Sequence, residues 1–219
     1  MDSNERILHA YFFAKHYIIS KGYGNEVDWQ CDINCIKLTK RKFLEEFSWV
    51  VLASGMNDKV VRKVYPMIKT VMFDFETSII CEKIAHCRKE ALSIFNHEGK
   101  INAILYLVEY LQANPFDTIK ARILNEGVTF IQTFPYMGKA TSFHLAKNIG
   151  INVAKPDRHL NRISNTLGYD DPNDLCRDIA NRIYENISLI DLVLWRYATL
   201  DKNYIKNIDW YIKRATNDH

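Results

Sequence analysis

The chain has 219 residues, of which 47% are hydrophobic and 25% charged, with a formal net charge of +3. Such a composition is that of an ordinary globular protein, long enough for one large domain or two interleaved smaller ones. Five cysteines without a CxxC pair indicate reduced thiols, and they argue against a disulfide framework, a zinc site or an iron–sulfur site. The charged start MDSNERIL and the lack of a long apolar run argue against a secretory signal and a membrane span.

Hydrophobic spacing in the first half of the chain predicts a series of helices. They cover 4–20, 40–54, a segment opened by Asn57 and Asp58, about 74–95, and 100–113. The glycines of KGYG are expected to end the first helix, and Asn57 or Asp58 to cap the third. The segments GNEVDWQ and FNHEGK are assigned to loops between helices.

The second half of the chain follows the same pattern. Helices are predicted at about 117–132, 139–148 and 158–166, then one opened by Asp171-Pro172 and one by Ser188 with Asp191 three residues on. Alternating β-branched runs, which would indicate strands, barely occur. The sequence therefore predicts an all-α fold.

The segment FPYMGKAT predicts a tight turn between two helices. Pro135 disfavours helical geometry at Phe134, and Gly138 is expected to take a positive φ before the next helix begins. The amides of Gly138, Lys139 and Ala140 would then point outward at the positive end of that helix, where a phosphate can bind. An ordinary helix–helix turn remains the alternative for this segment.

A single acid follows in the most basic part of the chain. Between Gly127 and Tyr169 there are five basic residues and one acidic residue, Asp157. Pro156 keeps Lys155 out of a helix, so Asp157 occupies the position of a helix N-cap. It is either that cap alone or, 19 residues after Gly138, a carboxylate acting on the backbone or sugar of a nucleic acid.

These segments resemble the signature of the helix-hairpin-helix DNA glycosylases, the superfamily of endonuclease III. FPYMGKAT is similar to the family's hairpin, and VAKPDRHL is similar to the turn that ends in the catalytic Asp. The segment 47–68 is similar to the family's early helix pair. The resemblance implies a two-lobed fold: 1–40 with 165–219 as one lobe, and 41–164 as a six-helix barrel that carries the hairpin at about 128–148.

Three departures from the family pattern bear on the activity. Tyr136 replaces the first hairpin glycine, so a residue with a β-carbon must make the turn. Ala140 occupies the position of the nucleophilic lysine of the lyase members, and Lys139 is one residue off. Only Cys176 follows Asp157, so the family's iron–sulfur cluster is not expected. The resemblance thus implies a monofunctional glycosylase without a metal or other cofactor.

The resemblance also implies roles for individual residues. Asp157 is the catalytic carboxylate, which stabilises positive charge on the sugar and activates water. The residues expected to hold DNA are Gly138, Lys139, Ala140, Thr141, Lys147, Lys155, Arg158 and His159, the last either on DNA or on a plain helix face. The residues considered for a base pocket or a wedge are Met56, Asn57, Glu26, Trp29, Trp49, Lys100 and Tyr136, with Met56 either a wedge or an ordinary methionine.

The implied partner is double-stranded DNA, bound by a monomer in the cytoplasm, at the nucleoid if the protein is bacterial. The excised base is either a damaged or mismatched base, in repair, or a hypermodified phage base, in antiviral defence. Two alternatives from other classes remain open: a non-catalytic module that only grips DNA, and an enzyme that builds modified bases on the same fold.

Overall fold

A computed structural model of the chain describes residues 3–214. Within that range the backbone forms helices and turns and contains no strand, so the all-α prediction is confirmed. The helices are α1 (Ser3–Ile18), α2 (Gly24–Asp32), α3 (Lys40–Ala53), α4 (Asp58–Val71), α5 (Thr77–Glu82), α6 (Ile84–Ile94), α7 (Glu98–Ala113), α8 (Phe116–Glu126), α9 (Val128–Ile131), α10 (Lys139–Asn148), α11 (Arg158–Thr166), α12 (Pro172–Ile183), α13 (Ile187–Leu200) and α14 (Tyr204–Arg214).

The chain forms two compact units. The first, here called the terminal unit, falls in Met1–Ile33 and Asn152–His219, and the second, the central unit, is Asn34–Ile151. The sequence placed the later change of unit at 164, whereas the structure places it at Ile151. The turn that ends in Asp157 therefore belongs to the terminal unit and not to the unit of the hairpin.

The terminal unit is built around α13. This helix has the sequence ISLIDLVLWRYATL, which is apolar on most of its surface, and it packs against α1, α2, α11 and α12. Tyr11 of α1 and Tyr197 of α13 are fully buried, and the ring of Tyr17 meets that of Tyr197 edge to face. Burial of α13 on several sides is what fixes the surrounding helices.

The central unit is built around α3 and α7, which pack against each other. On α3 the side chains predicted to be buried are fully buried: Phe43, Leu44, Phe47 and Val51. The helix is capped by Thr39, whose hydroxyl accepts from the Lys42 N–H at 3.2 Å. Asn57 caps α4 as predicted, because its Oδ1 accepts from the Lys59 N–H at 2.9 Å.

Several predicted boundaries are wrong, and the reasons are local. The segment assigned to a loop after KGYG forms α2, because only Gly22 (φ 89°) breaks the helix. The predicted helix 74–95 is three pieces, with positive φ at Phe73, Asp74 and Phe75 and a non-helical Lys83. The predicted helix 117–132 is divided at Gly127, which has a φ of 56°.

Candidate functional site

The turn between α9 and α10 is made by Tyr136 rather than by Gly138. Tyr136 has a φ of 65°, in the left-handed region, whereas Gly138 has φ −72° and ψ −177°, which is extended backbone. The positive φ predicted for Gly138 is therefore wrong, and the expectation that a residue with a β-carbon makes the turn is confirmed. The Thr141 hydroxyl donates to the Tyr136 carbonyl at 2.6 Å, which holds the turn closed.

Packing on both sides of the turn fixes this conformation. The centroid of the Phe134 ring lies 5.2 to 6.1 Å from those of its aromatic neighbours, which are Phe43, Phe47, Tyr110 and Phe130. On the other side, the Tyr136 hydroxyl occupies the space that a β-carbon on Gly99 would fill. Because the turn is anchored by buried rings, it is a rigid part of the central unit.

The first turn of α10 leaves backbone donors at the protein surface. Gly138 has no side chain to cap the helix, and the Ser142 N–H is the donor that bonds back to the Gly138 carbonyl, at 2.9 Å. The N–H groups of Lys139, Ala140 and Thr141 thus precede the helical hydrogen-bond pattern. Lys139 and Ala140 are exposed. This end of the helix has the polarity that favours an anion.

Two of the predicted DNA-binding side chains on α10 do not fit that role. Lys147 is only 9% exposed, so little of its surface is available to a DNA backbone. The Thr141 hydroxyl also points back to the Gly138 carbonyl, at 3.2 Å, so its proton is used within the turn. The Thr141 hydroxyl stabilises the turn before α10 instead.

Asp157 is the N-cap of α11, as its position in the sequence predicted. Its Oδ1 accepts from the His159 N–H at 2.8 Å and from the Leu160 N–H at 2.9 Å. Neither bond uses Oδ2, and the residue is partly exposed. The carboxylate is therefore fixed in direction by the helix while its second oxygen lies outside the capping bonds.

The extended segment before Asp157 is held by side chains that the sequence analysis did not select. The Asn173 side chain accepts from the Ala154 N–H at 2.9 Å and donates to the Ala154 carbonyl at 3.0 Å. Asp191, 1% exposed, accepts from the Lys155 N–H at 3.1 Å. These bonds replace the backbone pairing that an extended segment otherwise lacks.

The capping role predicted for Asp191 is therefore wrong. Helix α13 begins at Ile187 after Asn186, and the Ser188 N–H donates to Asn152 Oδ1 at 3.2 Å instead of taking part in a capping box. A lone Asp within the apolar run LIDLVL was the signal that could have identified a buried polar contact.

Burial shifts the pKa of two basic side chains near Asp157. It lowers the pKa of the partly buried Lys155, and the Asp157 carboxylate opposes that shift. Burial also lowers the pKa of His159. The Nε2 atom of this ring accepts a hydrogen bond from Arg158 Nε at 3.3 Å, and its Nδ1 atom lies 3.3 Å from the Tyr204 hydroxyl. Arg158 itself is exposed.

In the central unit, the structure brings several predicted pocket residues near one turn. Lys100, 2% exposed, donates from Nζ to the carbonyls of Leu52 and Ser54, at the end of α3. Its predicted role in reading a base is not supported by this geometry, because the buried ammonium bonds the turn that leads into α4. Met56 lies in that turn and is 38% exposed, as a wedge requires. Trp49 packs edge to face on Tyr65, with ring centroids 5.0 Å apart.

Two predicted pocket residues belong to the terminal unit. Glu26 lies on α2, and both of its carboxylate oxygens accept from Arg196, at 2.7 and 2.8 Å. Because these bonds occupy the carboxylate, Glu26 could read a base edge only by giving up its bonds to Arg196, and that role stays a prediction. Trp29 is 45% exposed on the same helix. Arg196 stacks on Tyr23 and Trp195, with 4.6 Å from its guanidinium carbon to each ring.

Comparisons of the chain with protein-family models, curated proteins and solved structures find no match. None of the helices described between residues 3 and 214 is long and apolar enough to cross a membrane. The same residues contain no group of three or more His, Cys, Asp or Glu side chains placed to hold a metal ion. The five cysteines, which all lie in the described part of the chain, form no disulfide with one another.

Proposed function

We propose that this protein is a DNA glycosylase of the helix-hairpin-helix type, acting as a monomer on double-stranded DNA without a cofactor. The observation that carries the proposal is the carboxylate of Asp157, fixed at the end of a clamped segment in the most basic part of the chain. A rigid helix–turn–helix with surface amides precedes it by 19 residues.

The backbone of DNA would be held by the hairpin and by exposed basic side chains. The N–H groups at the start of α10 can donate to a phosphate, and the exposed Lys139 adds a positive charge. Arg158, which directly follows Asp157, and Arg162, further along the same helix, are also exposed. Contacts of this kind position DNA without reading its sequence.

Asp157 would act on the sugar. Breaking an N-glycosidic bond builds positive charge on the sugar as the base departs, and an ionised carboxylate stabilises that charge. The oxygen outside the capping bonds, Oδ2, is the one that can orient or deprotonate the attacking water. The base must first leave the stack, and the exposed Met56 is the side chain proposed to fill the gap.

The excised base would be either a damaged or mismatched base or a hypermodified base of phage DNA. A second function is a binding module without catalysis, and the two capping bonds of Asp157 favour it, since an ordinary N-cap makes the same bonds. In that case the carboxylate has a structural role alone.

Base release from DNA distinguishes these functions. Purified protein is incubated with duplexes that carry single alkylated, deaminated or mismatched bases, and with phage DNA that carries natural or hypermodified bases. Free base is measured by mass spectrometry and abasic sites by alkali-induced cleavage. The matched variant is Asp157→Asn, because Asn caps a helix about as well as Asp but carries no charge.

The glycosylase is supported if the protein releases a base and Asp157→Asn binds the same DNA without releasing any. The released base then assigns the protein to repair or to defence. Tight binding without release from any substrate supports the binding module and contradicts the glycosylase.

A further inference from the structure

Lys155 is a partly buried lysine whose ammonium has no bonded partner among the described side chains. It lies in the clamped segment of the terminal unit, two residues before Asp157, and its side chain is partly buried. Among the side chains that the structure describes (residue 5 and residues 7–210), none makes a hydrogen bond or an ion pair with its Nζ, and the Asp157 carboxylate acts on it through its charge. By contrast, the buried Lys100 donates to two carbonyls, and Lys15 pairs with Glu185.

An unbonded, partly buried lysine of this kind can act as an amine nucleophile. Burial lowers its pKa, which increases the share of neutral amine at a given pH, and only the neutral amine attacks a carbonyl. The backbone of Lys155 is fixed by Asp191, and that of Ala154 by Asn173, so the side chain starts from a defined position. A lysine with a purely structural role would be expected to use its ammonium in a bond.

The proposed function supplies a carbonyl. Hydrolysis of an N-glycosidic bond leaves a sugar in equilibrium with its open form, which has an aldehyde at C1′. We propose that Lys155 captures this abasic sugar as an imine, next to the carboxylate that would have assisted release of the base. The inference relies on the proposed function to explain how the abasic sugar arises. The test of the inference does not rely on that function.

The step balances without an oxidant or a metal. The Nζ lone pair forms a bond to C1′, the C1′–oxygen bond breaks, and the oxygen leaves as water with the two protons of the neutral amine. The Asp157 carboxylate is the nearby base that can carry a proton from nitrogen to oxygen. The hairpin position that holds a nucleophilic lysine in the lyase members is Ala140 in this chain, whereas Lys155 supplies an amine at a different place in the chain.

The imine is tested by reductive trapping on a preformed abasic site. The full-length protein is mixed with a duplex whose single abasic site is made beforehand, and borohydride is added to reduce any imine to a stable amine. The adduct is quantified by gel electrophoresis, and the modified lysine is identified by mass spectrometry of its peptide. The variants are Lys155→Met, Lys155→Arg, which keeps the charge, and Lys89→Met as a control at an exposed lysine to which no DNA contact is assigned.

We expect trapping by the unmodified protein, mapped to Lys155, and a loss of about tenfold or more in both Lys155 variants. Lys89→Met should trap normally, and Lys155→Arg should still bind the duplex. An adduct on Lys139, equal trapping by Lys155→Met, or no adduct despite binding would overturn the inference.

Because the abasic site is preformed, this test is independent of base release. Trapping at Lys155 without base release from any substrate would uphold the role of Lys155 and contradict the glycosylase. Base release without trapping would contradict the role of Lys155 alone.

Discussion

The hydroxyl of Tyr136 lies over the α-carbon of Gly99, in the space that a β-carbon on residue 99 would occupy. This contact joins the hairpin turn to the first turn of α7, where His97 packs edge to face on the Tyr136 ring with centroids 6.2 Å apart. A tyrosine in the left-handed region is uncommon, and the contact with Gly99 is part of what holds it there. The hairpin therefore depends on a glycine that is distant in the sequence.

The substitution Gly99→Ala should destabilise the protein by about 1–3 kcal/mol, because the new methyl group overlaps the Tyr136 hydroxyl. In a Tyr136→Gly background the same substitution should cost almost nothing, since the overlapping side chain is gone. Chemical denaturation of the four proteins measures this coupling. Equal costs of Gly99→Ala in both backgrounds would show that the two residues do not interact.

Asp157 and Asp171 are matched helix caps in the terminal unit, since Asp171 accepts from the Asn173 N–H at 2.7 Å. Each Asp→Ala substitution should cost about 0.5–2 kcal/mol of stability. Only changes at Asp157, including the stable Asp157→Asn, should abolish base release. The measurements are denaturation and base release on the same preparations. If Asp171→Ala loses base release as completely, a structural defect explains both losses.

The pair Glu26 and Arg196 should affect stability and not the choice of base. Arg196→Lys keeps the charge but loses the two-pronged bond and the stacking on Tyr23 and Trp195, so we expect a loss of about 1–2 kcal/mol. Arg182→Lys is the control, because Arg182 bonds Asp178 at one nitrogen near the surface and should change stability by less than about 0.5 kcal/mol. A changed base preference in Glu26→Gln without lost stability would support its role in reading the base.

Protonation of His159 should lower the free energy of unfolding at mildly acidic pH. Burial lowers its pKa in the folded protein, and Arg158 and Arg162 act in the same direction while Asp157 opposes them. The unfolded chain then binds a proton more readily, so the stabilising effect of the neutral ring is present above about pH 6.5 and is lost as the pH falls through the folded pKa.

The variant His159→Gln does not titrate and can still reach the Tyr204 hydroxyl. The difference in unfolding free energy between the unmodified protein and this variant should shrink as the pH falls from about 7.5 to about 5. Denaturation at several pH values measures it. A difference that stays constant or grows toward acid pH would contradict the direction of the shift.

Local signals were sufficient for most helix ends near the candidate site. Helix α10 matches the predicted 139–148, and α11 matches 158–166, because a glycine before one helix and a capping Asp before the other act within a few residues. The same reasoning failed at Gly138, since either of two nearby residues could take the positive φ. Packing of Tyr136 on Gly99 decided it.

The sequence by itself determined the all-α class, the hairpin, the cap at Asp157 and the concentration of positive charge around it. Only the tertiary structure decided which polar side chains are already engaged. Asp191 bonds Lys155 across 36 residues, and Glu26 bonds Arg196 across 170. The physical reason is the distance along the chain over which each effect acts. Hydrophobic periodicity and helix capping act within a turn or two of helix, whereas side-chain burial and side-chain pairing depend on segments that meet only after the chain has folded.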